Sequence, residues 1–142
     1  MKTELTLFVC LFFSISILAQ VSAGQIDEFE NGTTQNWEEG GSSSNPPTNI
    51  NTGGPNGAND NYLQNSSSGG SGAGSRMIMF NESQWNGNYT SNGIVAIRFD
   101  VRTLTNDLDL RIAFDGGGGR ICTTNAITVA AGGAWTQIEI PI

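Results

Sequence analysis

Histidine is absent from all 142 residues, and with it go the Ser-His-Asp and Cys-His nucleophile systems and the imidazole-bearing zinc sites. Lysine occurs only as Lys2, so the rest of the chain has no Schiff-base amine and no phosphate loop ending in Gly-Lys-Ser/Thr. Cysteine is limited to Cys10, inside an N-terminal apolar run, and Cys122. Loss of the first with a cleaved leader would leave no internal disulfide, and Cys122 is expected to be a small buried hydrophobe on a strand, the usual setting of a free thiol. Helical periodicity is missing as well. Beyond the leader no segment holds apolar residues at helical spacing over successive turns, and glycine interrupts every candidate.

What is present begins with the pattern of an export signal. Lys2 precedes an apolar run from Leu5 to Leu18, which is shorter than the roughly 20 residues of a membrane span. Val21-Ser22-Ala23 follows, with small or modest side chains where a signal peptidase reads, so cleavage is expected after Ala23. The product would be a secreted, soluble domain of residues 24–142. Cys10 lies within the apolar run instead of just after it, which argues against a lipid anchor. Removing Lys2 from six basic residues and Glu4 from 13 acidic ones leaves five arginines and twelve carboxylates, and the net charge stays at -7. A surface of that sign repels phosphate, so nucleic acid and anionic membranes are poor partners.

Alternation with period two dominates the rest. From Ile94 to Arg102, Val95, Ile97, Phe99 and Val101 share one face, with Arg98, Asp100 and Arg102 on the other. Leu108 to Asp115 repeats the pattern with Leu108, Leu110, Ile112 and Phe114 inward. An antiparallel hairpin across Thr103 to Asp107 would pair Asp100 with Arg111 and Arg102 with Asp109 while keeping apolar residues opposite one another. Weaker strands are expected at Gln25–Phe29, near Trp37, and at Tyr62–Asn65, Arg76–Phe80, Arg120–Thr123, Ala126–Val129 and Trp135–Ile140. Gly40–Asn61 and Ser66–Ser75, rich in Gly, Ser and Asn, read as loops. The glycine run 116–119 reads as a turn, since no helix follows it to cradle a phosphate. The chain stops directly after a good strand at Pro141 and Ile142, from which a truncated C-terminus is expected.

Glu28 and Glu30 stand two residues apart, about 6.5 Å along a strand axis. Paired carboxylates can hydrolyse glycosides, but such pairs sit across a cleft and usually on different strands; an ion site is the alternative. Calcium, a hard cation that takes oxygen ligands, would draw on Glu28, Glu30 and Asp60, the last within Asn59-Asp60-Asn61. Trp37, Trp85 and Trp135 are the aromatic residues able to stack on a sugar or to fill a core. Trp85 and Tyr89 share the polar loop Asn81–Gly93, and Trp135 falls on the wet face if Ile138 and Ile140 point inward. Sequons begin at Asn31, Asn65, Asn81 and Asn88.

The run Phe29-Glu30-Asn31-Gly32, then Trp37, the loop Asn45–Gly57 and Tyr62-Leu63-Gln64, resembles the galactose-binding-like β-jelly rolls of secreted bacterial proteins, which are related to carbohydrate-binding modules. The resemblance extends through Phe80, Trp85 and Trp135. It implies a jelly-roll β-sandwich of two antiparallel sheets, adhesion or glycan targeting, and commonly a structural calcium near the first strand, with Glu30 as a ligand. The expected protein is a secreted non-catalytic module with glycan contacts at Trp85, Tyr89 and Trp135. A structural surface domain without a small-ligand site and a glycoside-active enzyme remain the alternatives.

Overall fold

The computed structural model describes residues 20–41 and 43–142. Lys2 and the Leu5–Leu18 run, on which the export signal rests, and Cys10 lie outside the described residues. Among those described, every regular element is a strand: β1 (Thr48–Ile50), β2 (Tyr62–Gln64), β3 (Ala96–Val101), β4 (Leu108–Leu110), β5 (Ala113–Gly116), β6 (Gly119–Cys122), β7 (Ile127–Val129) and β8 (Thr136–Pro141). All ladders between them are antiparallel, in the pairs β1–β2, β3–β8, β4–β7 and β5–β6. The protein is therefore all-β. No helix among the described residues is long and apolar enough to cross a membrane.

The last three pairs are nested. The chain runs out along β3, β4 and β5, turns at Gly117-Gly118, and returns along β6, β7 and β8. This is one antiparallel ribbon, and its turn needs glycine at Gly119, whose φ of 112° is in a region that side chains rarely adopt.

The ribbon replaces the hairpin expected between β3 and the strand after it. Asp100 lies opposite Gln137 instead of Arg111, and Asp109 lies opposite Thr128, accepting a 2.7 Å hydrogen bond from its hydroxyl. The β3–β8 register runs over six residue pairs and sets Ile97 opposite Ile140, Phe99 opposite Ile138 and Arg98 opposite Glu139. Ile138 and Ile140 are buried, as are Val129 on β7 and Val21. Burying a side chain of this kind contributes about 1.5–3 kcal/mol. On the outer face the Arg98 guanidinium reaches Glu139 at 2.5 Å, with both side chains more than half exposed. The pair sets register more than it stabilises.

Other expectations need correction. The run Leu108–Asp115 is broken at Arg111-Ile112, where two residues face the four from Thr123 to Ala126. There Arg111 donates to the carbonyls of Thr123 and Thr124, and Thr123 donates its N–H to the Ile112 carbonyl at 2.9 Å. Val95, expected to face inward, is 75 % exposed just ahead of β3, although its carbonyl accepts the N–H of Ile142. Cys122 is exposed on β6, since β6 pairs only with β5 and no second layer covers it. Gln25–Phe29 and Arg76–Phe80 form no ladder beyond a bridge from Glu38 to Phe80. Within the expected loop Gly40–Asn61 lies β1, too short to show a period, paired with the expected β2.

Truncating Ile138 to alanine should cost about 2–5 kcal/mol in urea unfolding, the range for emptying a buried aliphatic site, whereas Glu139→Ala should cost less than about 1 kcal/mol.

Candidate functional site

From Gln25 to Asn36 the chain uses amide side chains where a strand would use a ladder. Asn31 Oδ1 accepts from the N–H and the hydroxyl of Thr33 at 2.9 and 2.8 Å, a side-chain mimic of a turn. Gln35 turns back so that its Oε1 accepts the Phe29 N–H at 2.9 Å. The Phe29 carbonyl accepts from the side-chain amides of Asn49 and Asn61 at 2.7 and 3.2 Å. These bonds hold Phe29, Gln35 and Asn36 at φ of 61°, 49° and 62°. Left-handed backbone at such residues costs on the order of 1–3 kcal/mol each and concentrates at functional sites.

Asp27 organises the neighbourhood. Its Oδ2 accepts the indole N–H groups of Trp37 at 2.7 Å and Trp85 at 2.5 Å, and the Gln84 amide lies 3.3 Å away. One carboxylate therefore ties together three stretches of chain through charge-assisted bonds. Gln84 also donates to the Gln35 carbonyl at 2.5 Å and accepts from Asn36 at 3.0 Å, while Gln25 donates to the Gln84 carbonyl at 2.9 Å.

These groups border an open cleft of about 570 Å³ whose walls include Gln25, Asp27, Thr33, Gln35, Asn36 and Gln84. Asp27 is the one acidic or basic side chain among its lining residues. Amides offer paired donors and acceptors, and hydroxyls offer both from a single atom. Such a wall suits a neutral ligand bearing many hydroxyls, and it holds neither a histidine nor a second carboxylate for acid–base work.

The residues singled out from sequence fall in three places. Trp85 and Tyr89 meet beside the cleft, where the Tyr89 hydroxyl donates to the Trp85 carbonyl at 2.7 Å and the Tyr89 ring meets Phe114 edge-on at 5.0 Å. Burial raises the Tyr89 phenol above its usual 10.0. Trp135 belongs elsewhere: its indole N–H donates to the Gly53 carbonyl at 3.0 Å, Tyr62 packs edge-on at 5.2 Å, and the Arg102 guanidinium lies 5.1 Å from its ring centre. Glu30 Oε1 accepts the Asn61 N–H at 2.8 Å, Asp60 accepts the Asn56 N–H at 2.7 Å, and Glu28 is exposed. Among the described residues no group of three or more acidic or cysteine side chains is placed to hold a metal ion. No protein-family model, curated protein or solved structure matches the chain significantly.

Nothing in the sequence marks Asp27 beyond its place next to Glu28. Its partners are 10 and 58 residues away, so no local spacing marks it. The density of Asn and Gln in Gln25–Asn36 and at Gln84 was the one available signal.

Asp27→Ala should destabilise by about 1–3 kcal/mol, because it strips the acceptor from two half-buried indole donors; urea unfolding with tryptophan emission reads this directly, and Asp27→Asn, which keeps an acceptor oxygen, should cost less. The raised Tyr89 phenol means that the unfolded chain loses its proton first. Stability linked to this group is thus full below the ordinary phenol value and falls as pH climbs through about 10 and above. The alkaline fall in the denaturation midpoint should be shallower in Tyr89→Phe.

Proposed function

We propose that the chain is a secreted, non-catalytic binding module of the galactose-binding-like jelly-roll type, with a neutral carbohydrate as its ligand. The observation that carries this reading is the cleft bordered by Gln25, Thr33, Gln35, Asn36 and Gln84, prepared by left-handed backbone and fixed through Asp27. Sugar hydroxyls match walls of amides and hydroxyls, and a site held by its own hydrogen bonds loses little freedom when it binds. Asp27 enters as a positioning residue, since its carboxylate is engaged by Trp37 and Trp85.

The nested pairing of β3 with β8, β4 with β7 and β5 with β6 supports the jelly-roll part, because that fold is a long antiparallel ribbon wrapped on itself. Against glycoside hydrolysis, Glu30 is committed to the Asn61 amide, and the cleft has a single carboxylate where hydrolysis calls for two about 5–9.5 Å apart. The export reading rests on Lys2, the apolar run Leu5–Leu18 and the acidic, Asn-rich character of the rest.

Calcium belongs to the same reading at Glu30, where the Phe29 carbonyl and the Asn49 and Asn61 side chains supply further oxygens within one hydrogen-bonded group. Glu28 and Asp60 are the other carboxylates of that region. A bound ion would brace the Phe29–Asn61 contact; it takes no part in ligand chemistry.

Glycan-array binding followed by calorimetry should yield a neutral oligosaccharide ligand whose affinity drops at least about tenfold in Gln84→Ala, on the scale of one or two hydrogen bonds. An array silent toward a folded domain would sink the carbohydrate reading. In parallel, calcium should raise the melting temperature of the wild type by mass action and leave that of Glu30→Gln unmoved.

A further inference from the structure

Val21 has the smallest exposure of any apolar side chain among the described residues, at 1 %. Its N–H donates to the Asn86 carbonyl at 2.8 Å, on the loop that carries Trp85. A methyl group placed on Gly87 would meet Gln20 Cγ at 2.6 Å and Val21 Cγ1 at 3.3 Å, and Gly87 itself adopts a φ of 133°. The two segments therefore lie in direct contact. From there the chain turns through a Gln25 N–H to Ser22 carbonyl bond of 3.2 Å, and the Gln25 side chain lines the cleft. Residues 20–25 are thus a built part of the domain, yet cleavage after Ala23 would discard Val21.

The leader contains a second site of the same kind. Ile17-Leu18-Ala19 repeats the pattern of Val21-Ser22-Ala23, an aliphatic residue two places before an alanine. Ser14 and Ser16 mark the change from the strongly apolar Leu5–Phe13 stretch to the more polar segment that precedes a cut, and that stretch falls within the ~7–15 residues of such cores. Gln20 is exposed, so the new ammonium group would sit in water, while the Val21 amide stays inside with its acceptor.

We propose that export processing hydrolyses the Ala19–Gln20 bond, so that the mature chain begins at Gln20 and retains Val21. Water supplies the hydroxyl of the new Ala19 carboxyl and a proton to the Gln20 amine, in the reaction of a signal peptidase. The inference rests on the secretion reading and adds the processing site to it. Keeping Val21 keeps the 20–25 segment docked on the Trp85 loop, and with it one wall of the cleft.

Expression of the full precursor in a secreting host, followed by intact-mass and N-terminal analysis of the exported product, tests it. The expected N-terminus is Gln20, either as such or after its amine has attacked its own side-chain amide with loss of ammonia. An exported product starting at Gly24 overturns the inference and leaves the secretion reading intact, whereas a precursor retained in the cells with Lys2 still attached sinks the secretion reading itself. A second measurement compares purified chains that start at Gln20 and at Gly24: the shorter should melt at least about 5 °C lower, and equal melting temperatures would remove the structural ground for the proposal.

Discussion

The structure depends on one carboxylate shared by two indoles. Asp27 accepts from Trp37 and Trp85 and lies against the Gln84 amide, and these partners come from stretches of chain with no strand ladder of their own to bind them. Among the described residues the buried aliphatic side chains are few, namely Val21, Val129, Ile138 and Ile140. Hydrogen bonds from amide, indole and hydroxyl groups therefore carry much of the task of fixing the N-terminal half. A network of that kind is directional, so it specifies geometry where a sparse apolar core would leave the loops free.

The C-terminal half follows a different logic. Its ribbon is ordered by alternation and charge, with Ile138 and Ile140 facing inward opposite Phe99 and Ile97 while Arg98 and Glu139 meet on the outside. Aromatic contacts join the halves. Tyr89 packs edge-on against Phe114 of β5, and Trp135 beside β8 donates to Gly53 in the loop that links β1 to β2. Through these contacts the ribbon supports the segment on which the cleft is built, although the cleft's own walls come from residues before β1 and from Gln84.

The cleft's chemistry is consistent with the overall charge. A net charge of -7 discourages anionic ligands, and the one carboxylate in the cleft is held by neutral donors. The rest of the lining is Ile26 and a set of amide and hydroxyl side chains on well-bonded backbone.

The all-β character and most strand positions were legible in the residues, because alternation over five or six positions, as in Ile97–Val101 and Gln137–Pro141, is a local property of a half-buried strand. Strand partners were not. The pairing of Asp100 with Arg111 satisfied every local rule, yet β3 pairs with β8 over six residues, setting Ile97 and Phe99 opposite Ile140 and Ile138 and Arg98 opposite Glu139. Cys122 and Val95 are exposed against expectation for a related reason: alternation says which residues share a face, and only the packing of other elements says whether that face is covered. The wealth of Asn, Gln and Gly before β1 announced irregular, hydrogen-bonded chain. That Asp27 collects Trp37 and Trp85, that Gln84 closes the cleft, and that Val21 is seated on the loop holding Trp85 are contacts between residues far apart in sequence. No spacing along the chain encodes such contacts, and they exist only once the chain has folded.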